Sequence, residues 1–300
     1  MLRNLLQKVD YFRKMNKIIY IEKNIRIGDD MVKKYKRNER VGAIVRLLVD
    51  SPNKIFTLNC FTELFNSAKS TISEDLMIIK TVMEENNLGV VETITGAAGG
   101  VKYIPHISTE KRNELLSDII EFMSDSKRVM PGGFIYMADI LSHPRFVKPL
   151  GEIFASEFYD NDVDCVVTVE TKGIPLATMT AQALNVPLVI FRNDNRAADG
   201  STISIHYVSG STGRLQKMYV SKRAIKPESN ILIIDDFMKA GGTAKGMTDL
   251  VKEFDAKIVG IGVLFESENP KEKLVEDYHS LITMKEDQEK GTFEFCISEQ

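Results

Sequence analysis

Asp235 and Asp236 stand side by side in the string ILIIDDFMKAGGTAKG, residues 231–246, directly after four apolar residues. Adjacent carboxylates at the end of a buried strand accept hydrogen bonds from vicinal hydroxyls such as the 2′- and 3′-OH of a ribose. Lys239, Ala240, Gly241, Gly242 and Thr243 follow as a small-residue loop that opens a helix. Gly241 and Gly242 let the backbone approach a ligand closely, and the helix N-terminus offers unpaired N–H groups, an arrangement that binds phosphate. Phosphate next to two anions is a poor arrangement unless hydroxyl donors or a divalent cation separate the charges. The string therefore reads as a sugar site with a phosphate site one loop further on. A metal site or a capped strand-to-helix turn are the plainer readings of an Asp-Asp pair, and the full string is more specific than either. It is not a Walker P-loop, which lacks the acids and ends in Gly-Lys-Ser/Thr.

Two more loops carry candidate chemistry. In VETKGIP, Thr171, Lys172 and Gly173 follow a strand-like run. A glycine turn with exposed N–H groups and one ammonium fits a diphosphate, although a structural turn fits as well. The stretch from Arg192 to Arg223 is rich in Gly, Ser and Thr and carries Arg192, Arg196, Arg214, Lys217, Lys222 and Arg223. From its residues alone it reads as a solvated basic hairpin.

The elements that must position these loops alternate. GGFIYMADI reads as a strand-like run, followed by a helix from about residue 143 to 159, VDCVVTVE, a helix from about 175 to 184, PLVIF, NILIIDD, a helix from about 243 to 254, and AKIVGIGVLFE. Continuous apolar strands separated by helices imply a parallel sheet covered on both faces, and such sheets bind ligands at the carboxyl ends of their strands. The front of the chain differs. Val41, Ile44, Val45 and Leu48 recur at helical spacing, Pro52 punctuates, and Leu58, Phe61, Leu64 and Phe65 form a second helical face. Thr71 with Glu74 is a capping-box signature for a third helix burying Ile72, Leu76, Ile79 and Met83. VVETI, TGAAGG and VKYIP then read as two strands around a flexible loop. Three helices and a hairpin are the layout of a winged helix-turn-helix. The boundaries expected are an N-terminal extension at 1–30 (with Met31 as an alternative start), a DNA-binding module at 31–105, a helical linker at 106–128, an effector domain at 129–285 and a C-terminal tail at 286–300.

Composition narrows the class. The chain of 300 residues is 43% hydrophobic and 27% charged, as in an ordinary globular protein, and no apolar run reaches membrane-span length. No signal-peptide order opens the chain, so the expected compartment is the cytoplasm. Cys60, Cys165 and Cys296 are odd in number and far apart, against a disulfide framework or a zinc site. Residues 1–105 carry 17 Lys/Arg against 12 Asp/Glu, whereas residues 106–300 carry 22 against 30. A basic front on an acidic back points the front at a polyanion.

The acidic string, VETKGIP and the Gly/Ser/Thr-rich loop resemble the phosphoribosyl pyrophosphate (PRPP) sites of type I phosphoribosyltransferases over roughly residues 130–285. Taken together, SAKSTISEDLMIIK, TGAAGGVKYIP, PGGFIYMADIL, TKGIPLA, DGSTISIHYVSGS and IIDDFMKAGGT resemble the purine operon repressor family of Gram-positive bacteria from about Tyr35 to Leu281. The resemblance implies an α/β fold, a parallel-sheet type I phosphoribosyltransferase domain preceded by a winged helix-turn-helix domain. It also implies a homodimeric regulator that binds inverted-repeat double-stranded DNA and is relieved by PRPP with Mg2+, with no catalytic residues and no resident metal. PRPP would then be held by Asp235, Asp236, Lys239, Ala240, Gly241, Gly242, Thr243, Thr171, Lys172, Gly173, Arg192 and Arg196. DNA would be read by Lys69, Ser70, Thr71 and Ser73 on the third helix, with Glu74 serving as a cap and Asp75 unfavourable near phosphates. Lys34, Lys36, Arg37, Arg40 and the wing Lys102 would hold phosphates. Family members usually read Arg-Lys-Asp-Asn-Lys where this chain has Arg192-Asn193-Asp194-Asn195-Arg196, so Asn193 removes a cation near the diphosphate. The competing readings are an active purine phosphoribosyltransferase and a nucleotide-sensing module whose front half binds protein.

Overall fold

The computed structural model describes residues 35–96, 99–125, 128–130, 134–195, 200–209, 213–287 and 292–299. The expected extension at 1–30, Lys34 and Arg196 lie outside them.

Helix α1 (Arg37–Asp50) starts after Lys36, whose backbone N–H donates to Glu39, and buries Ile44, Leu47 and Leu48. After the Ser51–Pro52–Asn53 turn, α2 (Leu58–Phe65) is capped by the Thr57 hydroxyl, which accepts from Cys60 N, and buries Phe61 and Phe65. Helix α3 (Lys69–Glu85) follows. Strands β1 (Val90–Ile94) and β2 (Gly100–Ile104) form an antiparallel hairpin, and Phe56 bridges to Val101 on its edge. Ile44, Phe61, Phe65, Ile72, Ile79, Val91 and Val101 close one core. This is a winged helix-turn-helix.

The capping box expected at Thr71 does not form. The helix begins three residues earlier, after Ala68, which is extended and makes no side-chain cap bond. Thr71 therefore sits inside the first turn, and Glu74 faces Arg37 at 3.5 Å instead of reaching back to a cap.

The segment expected as a linker is α4 (Thr109–Met123), started by the Ser108 hydroxyl accepting from Lys111 N. It buries Leu116, Ile119 and Met123 in the core of the second domain, so it is part of that domain's helical layer. The expected strand at GGFIYMADI is reduced to β4 (Phe134–Ile135), paired with β3 (Val129–Met130) just before it, and its last three residues begin α5 (Ala138–Ser142). Then come α6 (Pro144–Glu157), β5 (Cys165–Val169), α7 (Ile174–Leu184) and β6 (Leu188–Phe191). The hairpin β7 (Thr202–Val208) and β8 (Leu215–Ser221) precedes β9 (Asn230–Met238), α8 (Gly242–Lys252) and β10 (Lys257–Ser267). Strands β11 (Tyr278–Asp287) and β12 (Thr292–Ile297) end the chain.

The main sheet has the order β12-β11-β10-β9-β5-β6, parallel throughout except for β12. Alternation along the strands splits the core in two. Val166, Leu232, Ile234 and Leu264 meet α4, α6 and α7 on one face; Val167, Ile231, Ile233 and Val263 meet α8 and the β7–β8 hairpin on the other. The residues expected as a tail supply β12, and Glu286 pairs with Phe293 across the β11–β12 ladder. No helix among the described residues is long and apolar enough to cross a membrane.

Candidate functional site

The carboxyl ends of β5 and β9, adjacent in the sheet, place two of the candidate loops together. Asp235 lies in register with Val263 of β10 and is 5% exposed; its carboxylate accepts from the Asp236 backbone N–H at 3.0 Å. Gly173 closes in from the β5 side. A Cβ built on it would lie 2.6 Å from Thr168 Oγ1 and 2.9 Å from Asp235 Oδ1, so a residue without a side chain is needed where α7 begins against the aspartate. Gly241, with φ of +79°, turns the chain from β9 into α8 and exposes that helix's N-terminal N–H groups. The Ala240 carbonyl accepts from Leu274 N at 2.9 Å, which braces the turn from outside.

Burial holds the Asp235 carboxyl well above the usual carboxylate range, and the neighbouring Asp236 adds to the shift. Asp236 is also raised by burial, against the pull of its hydrogen bond with Asp235 and of the Lys172 ammonium. Two carboxylates so placed disfavour full ionisation until donors arrive to share their charge. A cleft of about 410 Å³ opens over them.

Of the predicted ligand residues, Thr171, Lys172, Asp235, Asp236, Lys239, Gly241, Gly242 and Thr243 line this cleft. Gly173 and Ala240 are not among the residues that line it. Arg192 is not on the wall; its guanidinium sits 4.0 Å from Glu170 and its backbone bridges Tyr219. Asn193 does line the cleft, and its N–H donates to the Glu170 carboxylate. The Glu170–Thr171 peptide is cis. Sequence reasoning missed Tyr207, Gln216, Met137, Glu286 and Phe293, which also face the cleft. Tyr207 donates to Gln216 at 2.7 Å across the β7–β8 hairpin, and burial, then the charge of Asp235, raises its hydroxyl pKa. Glu286 and Phe293 went unseen because the last fifteen residues read as a tail. Among the described residues, no group of three or more His, Cys, Asp or Glu is placed to hold a metal.

A second cleft, of about 500 Å³, separates α3 from the wing. Lys69, Ser73, Met77 and Lys80 line its helical side, and Thr57, Asn59 and Thr93 line the rest. Lys80 was missed, although its spacing of eleven residues from Lys69 is three helical turns and puts both on one face. Lys69, Ser70 and Ser73 are exposed and Thr71 is half-buried. Lys36 and Arg37 are exposed at the start of α1, with Arg37 facing Glu74 and Asp75.

Two expected phosphate contacts are corrected. Arg40 is 8% exposed and spent inside the domain: its Nε and Nη2 donate to Asp75 at 2.7 and 3.3 Å, and Nη1 donates to the Tyr35 carbonyl. Asp75, expected to repel phosphates, is fully buried by the same pair. Lys102 does not project from the wing. It is tied to Glu92 and to the hydroxyl of Tyr159 in the second domain. Burial works against its charge, but those two partners outweigh it and raise its pKa.

Comparison with known proteins agrees with this two-part architecture. The family model of the bacterial purine repressor N-terminal domain matches residues 36–105, and that of the phosphoribosyl transferase domain matches residues 137–300. The chain is 47% identical over 251 residues to the purine biosynthesis transcriptional repressor PurR of Bacillus subtilis (strain 168), covering 84% of this chain and 88% of that protein. It is 42% identical over 247 residues to the purine biosynthesis transcriptional activator PurR of Lactococcus lactis subsp. lactis (strain IL1403), covering 82% and 91%. Xanthine phosphoribosyltransferase 1 of Clostridium botulinum (strain Hall / ATCC 3502 / NCTC 13319 / Type A) is 36% identical over 136 residues, 45% of this chain and 72% of that protein.

Proposed function

The chain belongs to the bacterial purine repressor family, and on that premise we propose that it represses purine biosynthesis genes by binding inverted-repeat DNA as a homodimer, with PRPP as the ligand that releases it. The single observation that carries the ligand assignment is the Asp235–Asp236 pair, packed against Gly173 and followed by the α8 N-terminus. The ribose hydroxyls donate to the two carboxylates. The 5′-phosphate takes the N–H groups from Gly241 to Thr243, and the diphosphate takes the Thr171–Lys172 loop. Magnesium fits as the counter-ion of the diphosphate, screening its charge beside the aspartates, because the described residues offer no cluster of their own. No residue is needed for bond making: the site serves as a sensor.

DNA phosphates are met by Lys36, Arg37, Lys69 and Lys80, and bases are met by the face of α3 carrying Ser70 and Ser73. PRPP acts only if it binds the DNA-competent form less well than the released form. A coupling of about 1–3 kcal/mol changes DNA affinity about 5–150-fold. The test is a mobility shift with a purine-operon upstream fragment, with and without Mg-PRPP, on wild type and on Asp235→Asn/Asp236→Asn. Wild type should be released by PRPP and the double variant should stay bound. Equal release of both would reject the site.

The likeness to a xanthine phosphoribosyltransferase favours a second reading, in which the chain transfers phosphoribose to a purine. Pyrophosphate release with xanthine, hypoxanthine, guanine or adenine at ordinary enzymatic rates would establish it and demote the sensor.

A further inference from the structure

We propose that Asn53 is the positioning residue through which the ligand cleft controls the DNA-binding domain, an inference that rests on PRPP being the releasing ligand. The observation behind it is a continuous path between the two sites. Helix α7 begins at Gly173, immediately after the Thr171–Lys172 loop that lines the ligand cleft. It runs for 11 residues, about 16 Å at the α-helical rise. Its far end is held by the other domain: the Asn53 side-chain amide, in the turn between α1 and α2, donates to the Ala183 carbonyl at 3.0 Å.

Three features fit this contact to transmission. First, Ala183 is in the last turn of α7, where carbonyls have no partner within the helix, so Asn53 caps a group that needs one. Second, α7 is packed to move as a unit. Leu176, Ala177, Ala181 and Leu184 are buried, and α6 lies so close that a Cβ on Gly151 would come 2.5 Å from the Met179 Cβ. Third, Asn53 is wired to the DNA-facing elements. Its backbone N–H donates to the Tyr103 carbonyl of β2 at 2.7 Å, and Thr57, four residues on, lines the α3–wing cleft. Among the described residues its buried Oδ1 has no hydrogen-bond partner, and the bond that its NH2 donates to Ala183 is the side chain's contact with the second domain.

A diphosphate that pulls on the Thr171–Gly173 loop shifts α7 along its axis. The shift displaces the carbonyl that Asn53 holds, and with it the base of the wing. The Lys102–Tyr159 contact is a separate tether between the domains, so loss of the Asn53 bond uncouples them without undocking them.

Asn53 has φ of +58°, a backbone that Asn, Asp and Gly tolerate and Ala does not. The test therefore uses full-length Asn53→Gly, which removes the donor, and Asn53→Asp, which turns it into an acceptor facing a carbonyl. PRPP affinity is measured by calorimetry, and DNA affinity is measured with and without PRPP. Each variant should bind PRPP alone and DNA alone within about threefold of wild type, while the PRPP-dependent change in DNA affinity falls toward one. A variant that keeps the wild-type change overturns the assignment. A wild type whose DNA affinity ignores PRPP fails the functional reading instead. Hydrogen exchange on wild type decides independently of how the variants fold: PRPP should alter protection of the Asn53 amide and of the amides at 185–186, and unchanged protection there also overturns it.

Discussion

Replacing Arg40 and Asp75 separately and together distinguishes a core ion pair from a DNA contact. The pair is buried, with Arg40 8% and Asp75 0% exposed, and the guanidinium makes two bonds to the carboxylate. Arg40→Met leaves the buried Asp75 carboxylate with only the solvent-exposed Arg37 guanidinium at 3.4 Å, and Asp75→Leu leaves the buried Arg40 guanidinium with only the Tyr35 carbonyl. Either break should cost about 3–5 kcal/mol. For a domain of this size each kcal/mol is worth about 4–8 °C, so the winged domain should melt at least ~12 °C lower in either single variant. The double variant Arg40→Met/Asp75→Leu removes both desolvation penalties together and should return to near wild-type stability. The chain has no tryptophan, so unfolding is followed by hydrogen exchange of amides in α1 and α3, which isolates the winged domain from the helices of the second. DNA binding is then measured across a salt series. Because Arg40 touches no phosphate in this account, the folded double variant should keep both its affinity and its log–log salt slope. A slope reduced by about 0.9, with matching loss of affinity in a folded double variant, would refute the reasoning and return Arg40 to the phosphate contacts.

Other predictions follow from the same geometry. Gly173→Ala forces a methyl group against Thr168 and Asp235 and should lower stability by about 1–3 kcal/mol and weaken PRPP binding, as read by thermal melts and calorimetry. The raised Asp235 carboxyl makes its contribution to stability largest below the ordinary carboxylate range and lost as pH rises through its folded value, so Asp235→Asn should raise the melting temperature of the ligand-free protein at neutral pH. In the wild type, hydroxyls donating to that carboxylate favour its ionised form, so PRPP should bind tighter as pH rises through the same window and should release protons, detected as a dependence of the apparent enthalpy on buffer ionisation heat. Lys69→Ala and Lys80→Ala should each reduce the DNA salt slope by about 0.9, while Lys102→Ala should leave it unchanged.

The cleft around Asp235 and Asp236 was legible because its signals are local. Four apolar residues, two acids and a glycine turn are contiguous, and a parallel sheet leaves one place for them, the carboxyl end of β9. What escaped depends on contacts far apart in sequence. Glu286 and Phe293 reach the cleft only because β12 pairs back on β11, and Thr292–Ile297 alternates too weakly in hydrophobicity to announce an edge strand. Arg40 looked like one more cation in a basic run. Its partner lies 35 residues away on α3, and no periodicity links the two. Lys102 looked like a wing tip because hairpin position was visible and the docking of the second domain was not. The third helix was placed correctly by its apolar spacing, but its start was not: Thr71–Glu74 satisfies the capping pattern, while the chain already turns helical at Lys69.

The electrostatics of the cleft argue for what kind of ligand the proposed sensor rewards. On the proposed reading, inorganic phosphate or pyrophosphate brings negative charge toward Asp235 and Asp236 and offers nothing to share theirs. A ligand that carries vicinal hydroxyls between its two phosphate groups supplies donors where the carboxylates sit and anions where Lys172 and the α8 N-terminus sit. The acidic pair thus acts as a filter, penalising the phosphate fragments and accepting the intact phosphoribosyl compound. The penalty is borne by the ligand-free protein as a raised carboxyl pKa, which is why the same residue that sets selectivity should be the one whose neutral replacement stabilises the fold. If pyrophosphate alone bound Asp235→Asn/Asp236→Asn no better than wild type, the aspartates would be excluded as the source of that selectivity.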